Sequence, residues 1–587
     1  KLAYPEVEAV ATGAILSTYQ RLRVENVCGR LGLLSLAYLW QRDQHELLQE
    51  MVDRGVQAML IKIAAMGLKK RHLGQTLNEV IDELRAMESI HVCGEGGEFE
   101  SFVIGCPLFK RPMTVVEGHA LMSDDNPIAP VGVWKFRVAP DEALPTPGTP
   151  PSDPDPDPTP ALAAPKRPVI PHEYSPTAPR FKRAGNVLFL GGLAVDTVLC
   201  RATAAELPVD LQVHLLLQYT NCRLKALGRE MRHVFFVHVY AKHMSDFAAI
   251  NTAYNAYFGN QPPSRATVGW DSQCSTAGLV VVEVYARASN AIALDAGANV
   301  DSAQQPQEED TDFESLHVQS ISEWAPACVG PYSQAWRLKG LLYFAGIIGL
   351  VPETMTLPAA DMDGEKESRL ALRSLSRVAE VMRTQCSSAL SMIIYVTEWG
   401  RATNAIQHWK DAAGDGWDRL LRIVQVSALP RGCTVEYQMI ATLPHVPVVM
   451  NLPCHVECNH ITVVTSKSLQ VSSQGLTLTH LGLCILSSAD RSTFVREVVH
   501  AAIAAAGGPC TTIGSLRCYQ STCCRITLQV PDIVQELMAQ GVAVCPAVTV
   551  LHTPNVAVQA VLETALDLVV EVMAMCQPPA PAEEEED

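Results

Sequence analysis

The spacing of apolar side chains predicts helices and buried strands in the first part of the chain. From Thr18 onward, apolar residues recur at intervals that place them on one face of a helix. Residues 35–40 and 58–65 are short continuous apolar runs, as expected of strands buried on both faces, and residues 43–54 between them follow a helical pattern. Strand, helix and strand in this order predict a parallel, doubly wound α/β sheet.

One set of strands and helices occurs twice in the middle of the chain, which indicates an internal duplication. The first copy is predicted to run in the order 185–195, helix 203–228, 234–241, helix 246–258, 264–270 and 279–286. The second copy repeats that order at 340–350, helix 367–385, 391–398, helix 401–412, 422–428 and 433–441. Two matching positions have the same offset of 157 residues (391 − 234 and 422 − 265), and equal offsets are typical of a repeat. A weaker pattern over 455–575 predicts a degenerate third copy, whose last strand has no clear counterpart.

Segments rich in proline and acidic residues separate these regions. Such segments cannot form a core, so we expect the first of them to be extended and stiff. The predicted boundaries are 1–137 for the α/β part, 138–171 for a Pro-rich linker, 172–287 for the first copy, 288–322 for an acidic linker, 323–443 for the second copy, 455–575 for the third copy and 576–587 for an acidic tail.

Composition and charge exclude several classes of function. The chain of 587 residues has 45 basic and 62 acidic side chains, and its net charge of −17 argues against nucleic-acid binding, which needs clustered Lys and Arg. Its 18 cysteines are scattered and form no disulfide framework, which fits a reducing compartment. No apolar run reaches the ~18 residues that a membrane-spanning helix needs. We therefore expect a soluble protein of the cytoplasm that binds neither nucleic acid nor membrane.

The strongest candidate for chemistry is the acidic turn in the sequence HVCGEGGEFESFVIG. The adjacent glycines Gly96 and Gly97 lie between Glu95 and the pair Glu98 and Glu100. Adjacent glycines permit a tight turn with positive φ and a close approach of the backbone to a ligand. Three carboxylates on one short loop repel one another, so a cation, a metal ion or water is expected to offset them. A solvated acidic turn is the alternative.

This turn and two further motifs resemble the diphthine–ammonia ligase family of ATP-pyrophosphatase-type enzymes. The motifs are GEGGEFES followed by a short strand and CPLF, the upstream stretches TGAILSTYQRLRVENVCGRLGL and AYLWQRDQ, and SDDNPIAPVGVWKF downstream. The resemblance covers residues 1–137 and implies part of a Rossmann-like domain. The Ser-Gly-Gly-x-Asp-Ser loop with which such enzymes hold the ATP phosphates does not occur in this sequence, so we expect the second half of that domain.

The resemblance implies an activity. Family members adenylate the diphthine carboxylate of elongation factor 2, using ATP and, we expect, Mg²⁺, and ammonia then displaces AMP to give diphthamide. The sequence assigns no general base for this reaction. The partners implied are elongation factor 2 in its diphthine form and ammonia.

The resemblance also implies three groups of site residues. The candidate catalytic residues, near the diphthine cation or Mg²⁺, are Glu95, Glu98 and Glu100. The candidate nucleotide-binding residues are Gly13, Ser17 and Arg23, although Ser17 also suits simple capping of the predicted helix. Carboxylates and aromatic faces recognise quaternary ammonium groups, so the candidate substrate-binding residues are Trp40, Asp43, Gly96, Gly97 and Phe99. Core packing is the alternative for Trp40.

The second copy opens with the motif APACVGPYSQA, which resembles the Rid (YjgF/UK114) family of deaminases. That family has a chorismate-mutase-like α+β fold, a sheet backed by two helices, and forms trimers with sites in the clefts between subunits. The resemblance implies cleft residues that bind a substrate carboxylate (Arg265 and Arg422), position water (Glu283 and Glu436) or line the cleft (Tyr332). Structural Arg–Glu ion pairs are the alternative. Three copies in one chain would form a pseudo-trimer; a homo-oligomer is the other expectation.

Both copies depart from the Rid pattern at the first strand. The family has Ser-Gly-Gln there, whereas this chain has Gly191-Gly192-Leu193 and Ala345-Gly346-Ile347, so a hydroxyl and an amide are missing.

The cysteines and histidines at 454–460 lack a second pair at the spacing of a structural zinc site, so no metal site is predicted there. The leading hypothesis is the ligase; the alternatives are a non-catalytic scaffold or small-metabolite-binding protein, and an imine deaminase.

Overall fold

A computed structural model of the chain describes residues 4–87, 90–124, 126, 128–140, 174–175, 178–184, 186–199, 206–259, 261–270, 278–288, 313–359, 364–451, 461–471, 476–485, 496–501, 512–521, 547–553, 556–558 and 568–575; from residue 450 on, side chains are described only at 496–501. The chain forms two compact units. Unit 1 comprises Lys1–Ala161 with Gln319–Trp324, and unit 2 comprises Leu162–Val318 and Ala325–Asp587. Within the described ranges, no helix is long and apolar enough to cross a membrane.

Unit 1 combines a small parallel sheet with a larger antiparallel one. Its elements are, in chain order, β1 (Ala9–Ala11), α1 (Thr18–Leu31), β2 (Leu34–Leu36), α2 (Gln44–Asp53), β3 (Gln57–Ile63), α3 (Leu77–Arg85), β4 (Phe99–Gly105), β5 (Met113–Asp124) and β6 (Val131–Pro140). Strands β1 and β2 pair in parallel, and α1 connects them. The other four strands form an antiparallel sheet in the order β4–β3–β6–β5.

The predicted parallel sheet is therefore present only as the pair β1–β2. The sequence predicts one parallel sheet containing 35–40 and 58–65, but β2 ends at Leu36 and β3 pairs in antiparallel register with β4 and β6. The run at 58–65 is apolar because β3 is a central strand whose side chains lie in the core with α3. A central strand is apolar whatever the direction of its neighbours, so the pattern could not distinguish the two pairings. The described residues of unit 1 form no larger doubly wound sheet.

A segment from the middle of the chain extends the small sheet of unit 1. Ile321 lies beside β2: its N–H donates to the Ser35 carbonyl at 2.9 Å, and the N–H of Ala37 donates to the Ile321 carbonyl at 2.8 Å. This segment belongs to the stretch 288–322 that the sequence assigns to an acidic linker. Its last residues are therefore a structural part of unit 1.

A buried carboxylate holds the same segment against α1. The Glu25 side chain accepts hydrogen bonds from the N–H groups of Gln319 at 3.1 Å and Ser320 at 2.9 Å, and from the Ser320 hydroxyl at 2.6 Å. Glu25 also forms an ion pair with Arg21 at 2.6 Å, and both side chains are buried. The helix and the segment therefore satisfy each other's polar groups.

Unit 2 contains three sheets. The first copy consists of β7 (Lys182–Ala184), β8 (Val187–Leu193), α4 (Val195–Val198), α5 (Val209–Ala226), β9 (Val234–Ala241), α6 (Phe247–Asn255), β10 (Ser264–Gly269) and β11 (Val280–Arg287). The second consists of β12 (Phe313–Leu316), β13 (Ala335–Leu338), β14 (Leu341–Phe344), β15 (Ile347–Ile348), α7 (Glu365–Val381), β16 (Ala389–Val396), α8 (Ala402–Ala413), β17 (Leu420–Gln425) and β18 (Val435–Thr442). The last sheet contains β19 (Val448–Asn451), β20 (Ile461–Val471), β21 (Leu476–Ile485), β22 (Thr512–Ser521), β23 (Ala547–Thr553) and β25 (Leu568–Met575), while β24 (Val556–Val558) pairs with β17.

The three sheets share one order of strands. In each, a parallel pair (β10–β9, β17–β16 or β23–β22) is followed by an antiparallel strand (β11, β18 or β25). The predicted third copy therefore has the sheet topology of the first two, and β25 is the last strand that the pattern of 455–575 does not predict. The predicted helix at 531–540 and the cysteines and histidines at 454–460 lie outside the described residues.

The structure corrects the alignment of the first two copies. Strands β9 and β16 begin 155 residues apart (389 − 234), and β11 and β18 have the same separation (435 − 280), so the offset is not 157. Glu283 lies opposite His238, and Gln438 lies opposite Ile393. The counterpart of Glu283 is therefore Gln438 and not Glu436.

The predicted match between Arg265 and Arg422 is wrong for the same reason. Arg265 lies opposite Val237 on β9, and the equivalent position on β17, opposite Met392, is Leu421. Arg422 is one residue further along. Because successive side chains of a strand alternate between the two faces of the sheet, the two arginines point to opposite faces.

The first two copies pack with their sheets face to face. Phe236 and Tyr285 of the first copy share an apolar cluster with Trp336 and Tyr343 of the second. The other face of the first sheet packs against its helices α5 and α6. At the edge of the first sheet, the N–H of Gly346 donates to the carbonyl of Arg265 on β10 at 3.1 Å. The edge strand of one copy is thus covered by the other.

Candidate functional site

The acidic turn of unit 1 is built on positive-φ glycines and close backbone contacts. Gly94 and Gly97 have φ of 76° and 88°, where side chains are unfavourable. Gly96 has no positive φ, but a Cβ at this position would lie 2.5 Å from Oε1 of Glu98. Phe99, which begins β4, is buried in the core of unit 1. The glycines allow the chain to turn tightly and bring the Glu98 carboxylate back against it.

Glu95 binds the start of α1. Its carboxylate accepts hydrogen bonds from the backbone N–H groups of Ile15 (2.8 Å), Leu16 (3.0 and 2.8 Å) and Ser17 (3.3 Å). These amides lie at the N-cap of α1 and just before it, and the helix dipole favours a negative charge at this end. Glu95 therefore ties the acidic turn to the segment that enters α1.

Glu98 and His91 form the rest of the cluster. Oε1 of Glu98 accepts a hydrogen bond from the backbone N–H of His91 at 2.9 Å. The His91 side chain is 12% exposed, and its Nε2 lies 3.7 Å from Oε2 of Glu95. Oε2 of Glu98 and both ring nitrogens of His91 are buried, and within the described chain they find no hydrogen-bond partner. We call these three residues, His91, Glu95 and Glu98, the turn cluster.

Two further residues near the acidic turn, Glu100 and Cys93, do not belong to the turn cluster. Glu100 forms an exposed ion pair with Lys62 at 2.6 Å and does not join the turn cluster. Burial raises the pKa of the Cys93 thiol to about 11, with further contributions from Glu95 and Asp43, so the thiol stays protonated at neutral pH. Neither Glu100 nor Cys93 supplies a reactive group to the cluster.

The predicted aromatic and helix-start residues have structural contacts. Trp40 is buried, and the Arg21 guanidinium lies over its ring, 4.8 Å from the centroid, so core packing accounts for this side chain. Asp43 caps α2 by accepting hydrogen bonds from the N–H groups of His45 and Glu46, both at 2.9 Å. With Phe99 also in the core, the predicted cation-binding aromatic faces are covered by other parts of unit 1.

The predicted nucleotide-binding residues lie at or near the start of α1. The Ser17 hydroxyl caps α1 and accepts from the N–H of Gln20 at 3.4 Å. Arg23 lies on the exposed side of the helix, where it donates to the Tyr19 hydroxyl at 2.6 Å. A Cβ added at Gly13 would meet nothing within 4 Å. Glu95 occupies the amides of residues 15–17 beside them, and their role in nucleotide binding stays a prediction.

A second polar cluster lies where the first two copies of unit 2 meet. Arg265 on β10 donates from Nη2 to Oδ1 of Asn251 at 2.6 Å, and its guanidinium lies over Tyr254 at 4.7 Å and over Tyr332 of the second copy at 5.3 Å. Its Nε and Nη1 are buried, and no hydrogen-bond partner for them occurs in the described residues. A Cβ on Gly330 would lie 2.7 Å from Nη2, so the glycine admits the arginine. Burial lowers the pKa of Arg265.

Glu436 of the second copy completes this cluster. It lies against Gly346, where a Cβ would be 1.6 Å from its Oε1. Burial raises the pKa of Glu436 to about 8, and the nearby Arg265 charge opposes that shift. Its Oε2 is buried and, in the part of the chain described, unpartnered. We call Arg265, Tyr332 and Glu436 the cleft cluster.

The other two predicted cleft residues lie between the sheets instead. Glu283 is 3.4 Å from Nδ1 of His238, whose Nε2 is 2.7 Å from Oε1 of Gln438. Arg422 donates to the Ser391 hydroxyl at 3.4 Å and lines the same inter-sheet space. The predicted roles of Glu283 and Arg422 in a cleft are therefore not supported, because the register places both side chains on the inner faces of the sheets.

Sequence reasoning missed several residues of these clusters. His91 precedes the acidic turn and stands four residues before Glu95, a spacing that the sequence already contains. Asn251 and Tyr254, which surround Arg265, lie on α6 and carry no motif. Only the packing of that helix against the edge strand reveals them.

Comparisons with known proteins agree with the two parts of the chain. The family described as "Diphthamide synthase C-terminal domain" matches residues 43–131, and "Endoribonuclease L-PSP" matches 166–288 and 322–443. In the solved structures, a conserved Rid family protein of unknown function from Yersinia pestis is 31% identical, with 20% of this chain and 94% of that chain covered and a TM-score of 0.19.

Two relatives carry the name diphthine–ammonia ligase. The one from Schizosaccharomyces pombe is 34% identical over 465 residues, covering 74% of this chain and 70% of that protein. The human one is 50% identical over 135 residues, covering 22% of this chain and 51% of that protein. The first match extends over both units and most of the relative's length. The chain therefore belongs to the diphthine–ammonia ligase family.

Proposed function

We propose that this protein catalyses the ATP-dependent amidation of diphthine on elongation factor 2, with ammonia as the nitrogen donor, and that it does so in the cytoplasm. The observation that carries the proposal is the turn cluster. It is a group of buried acceptor atoms within residues 43–131, the segment that matches the diphthamide synthase family. Buried polar atoms without partners are rare in folded proteins and suggest a ligand.

Within the turn cluster, we assign Glu95 to holding the turn in place and Glu98 to binding substrate. Glu95 is committed to the amides at the start of α1 and fixes the position of the turn. Glu98 has one oxygen committed to the His91 amide and one free to accept from a donor or attract a cation. We propose that Glu98 contacts the nitrogen donor, with Gly96 lying close to its carboxylate.

ATP use follows from the family. Its phosphate site stays a prediction at Gly13, Ser17 and Arg23. Within the described residues, no group of three or more His, Cys, Asp or Glu is arranged to hold a metal ion, so we assign no ligands to Mg²⁺. The part of the site that we assign to the described residues is the turn cluster.

The proposal is tested by an amidation assay with matched variants. The full-length protein, diphthine-bearing elongation factor 2, ATP and ammonium are incubated, and conversion of the diphthine carboxylate to carboxamide is followed by mass spectrometry of the modified peptide. Glu98→Gln should lower the rate strongly. Glu117→Gln, which changes an exposed carboxylate on β5 paired with Arg137, should not. Equal activity in the two variants would remove Glu98 from the site.

The cleft cluster supports a second candidate function, the binding of a small carboxylate such as a 2-imino acid. Nε and Nη1 of Arg265 are buried donors suited to a carboxylate, and Tyr332 covers the guanidinium from the other copy. The missing hydroxyl and amide at 191–193 and 345–347 favour binding over deamination. Ammonia release from a 2-imino acid, lost in Arg265→Leu, would establish a deaminase. Binding without release would establish a metabolite site.

A further inference from the structure

The turn cluster has the composition of a binding site for ammonium. Its three unpartnered buried atoms are a carboxylate oxygen of Glu98 and the two ring nitrogens of His91. A carboxylate is an acceptor only, and an imidazole offers one acceptor nitrogen in its neutral form. Oε2 of Glu95 lies 3.7 Å from Nε2 of His91 and brings a negative charge to the ring, while the Glu98 carboxylate is held at the backbone N–H of the same histidine. Acceptors and negative charge together suit a small cation that carries several N–H donors.

Size separates ammonium from the other cation of the proposed reaction. The Glu98 carboxylate lies so close to the backbone that a single Cβ on Gly96 would be 2.5 Å from its Oε1. The unpartnered atoms are themselves inaccessible to solvent. A quaternary ammonium is bulkier and has no N–H to donate, so it cannot satisfy buried acceptors by hydrogen bonding. Ammonium is small and carries N–H donors, so it can satisfy them.

We propose that the turn cluster binds ammonium through Glu98 and that His91 is the general base that takes a proton from it. This inference rests on the proposed function, since it concerns the second substrate of the amidation. Both ring nitrogens of His91 are buried and have no hydrogen-bond partner among the described residues, so a ring nitrogen can act as a general base. Glu95, fixed by the start of α1, stabilises the imidazolium that forms.

The proton and electron movements follow from these positions. A nitrogen of His91 takes one proton from ammonium, which leaves ammonia with its lone pair free. That lone pair forms the C–N bond to the activated carboxyl carbon, and the bond from this carbon to the leaving oxygen breaks, so that its electron pair departs with the oxygen. The nitrogen then loses a second proton to solvent. The products are the carboxamide, the leaving group and two protons, one of them carried by His91.

The test compares two nucleophiles in the full-length protein. Ammonium must lose a proton before it can attack, whereas hydroxylamine is largely unprotonated at neutral pH and needs no base for that step. His91→Asn should lower kcat with ammonium by roughly 10²- to 10⁴-fold, the usual contribution of a general base. It should leave formation of the hydroxamate from hydroxylamine close to the wild-type rate. That retained rate also demonstrates that the variant is folded and still activates the carboxylate.

Two further variants complete the design. Glu98→Gln keeps an oxygen that accepts from the His91 amide but loses the negative charge, so it should raise KM for ammonium more than it lowers kcat. His119→Asn, an exposed histidine on β5, is the matched control and should behave as wild type with both nucleophiles. If His91→Asn loses both activities equally, or keeps both, His91 is not the base and the proposal is overturned.

A binding measurement separates failure of this inference from failure of the proposed function. In the wild-type protein with ring-¹⁵N-labelled histidine, ammonium should shift the His91 nitrogen resonances in the absence of ATP and of elongation factor 2, while sodium should not. No shift at saturating ammonium would overturn the site. A clear shift in a protein that forms no amide with either nucleophile would instead retain the ammonium site and reject the ligase activity.

Discussion

Both carboxylate oxygens of Glu95 accept a hydrogen bond from the backbone N–H of Leu16, at 3.0 and 2.8 Å. The two residues are 79 positions apart, so this contact ties the acidic turn to the start of α1. It holds the segment that enters α1 and fixes the carboxylate beside His91. The arrangement of the turn cluster depends on it.

Removing the Glu95 carboxylate should destabilise the protein. Glu95→Ala leaves the N–H groups of Ile15, Leu16 and Ser17 without their acceptor, and the expected loss in free energy of unfolding is about 1–3 kcal/mol. Chemical denaturation measures it. Glu100→Ala removes an exposed carboxylate from the same turn and should change stability by less than about 1 kcal/mol. If the two variants lose the same stability, Glu95 does not cap the helix in solution.

Stability should also depend on the segment that joins unit 1 from the middle of the chain. Glu25→Ala removes the partner of buried Arg21 and the acceptor of the Gln319 and Ser320 amides. The expected cost is about 3–5 kcal/mol, as for a broken buried ion pair. Ser320→Ala removes one hydroxyl donor and should cost about 1 kcal/mol. A Glu25→Ala variant as stable as wild type in denaturant would contradict the placement of this segment.

The Glu436 carboxyl should make stability fall as pH rises. Its pKa is about 8 in the folded protein against an ordinary value of 4.5. Below both values the folded and unfolded chains carry the proton alike. Between them only the unfolded chain ionises freely, so the free energy of unfolding decreases through this range, by an amount on the order of a few kcal/mol.

Glu436→Gln should remove that pH dependence. The variant keeps the size of the side chain without its titration, so it should match wild type near pH 4.5 and exceed it in stability above pH 8. Glu230→Gln, at an exposed glutamate paired with Arg232, is the control and should follow the wild-type profile. Parallel profiles for wild type and Glu436→Gln would show that Glu436 is not buried in the cleft cluster.

The packing of Glu436 inside the second copy is tested at a glycine. Gly346→Ala would place a Cβ 1.6 Å from Oε1 of Glu436, so the variant should lose about 1–3 kcal/mol or more through overpacking. Gly259→Ala, where a Cβ meets nothing within 4 Å, should have a Tm close to wild type. A tolerated Gly346→Ala would mean that the Glu436 carboxylate does not lie against Gly346.

How much the sequence could predict differs between the parts of the fold. The repeat strands are visible because they are buried on both faces, but continuous apolar runs such as those of β9 and β16 have no alternation to mark where they begin. The predicted offset of 157 residues is therefore two too large for β9 and β16. On β17 the predicted match is one residue too far along, at Arg422 instead of Leu421, so the two arginines point to opposite faces.

The candidate site was predicted in part, for an equally physical reason. Glu95 and Glu98 stand out because they flank adjacent glycines in a short turn. The partners of Glu95 do not, because the amides of Ile15, Leu16 and Ser17 are backbone groups some 80 residues away. The cleft cluster likewise joins residues of two copies. The sequence motifs indicate its residues one by one, but only the packing of the two copies shows that Arg265 and Glu436 lie together.

The most direct measurement of the central claim is transfer of nitrogen. The full-length protein is incubated with ¹⁵N-ammonium, ATP and diphthine-bearing elongation factor 2, and the modified peptide is examined by mass spectrometry. The account predicts a ¹⁵N-carboxamide in place of the diphthine carboxylate, formed only with ATP and slowed by His91→Asn. Unchanged diphthine in the presence of an intact, folded protein would contradict it.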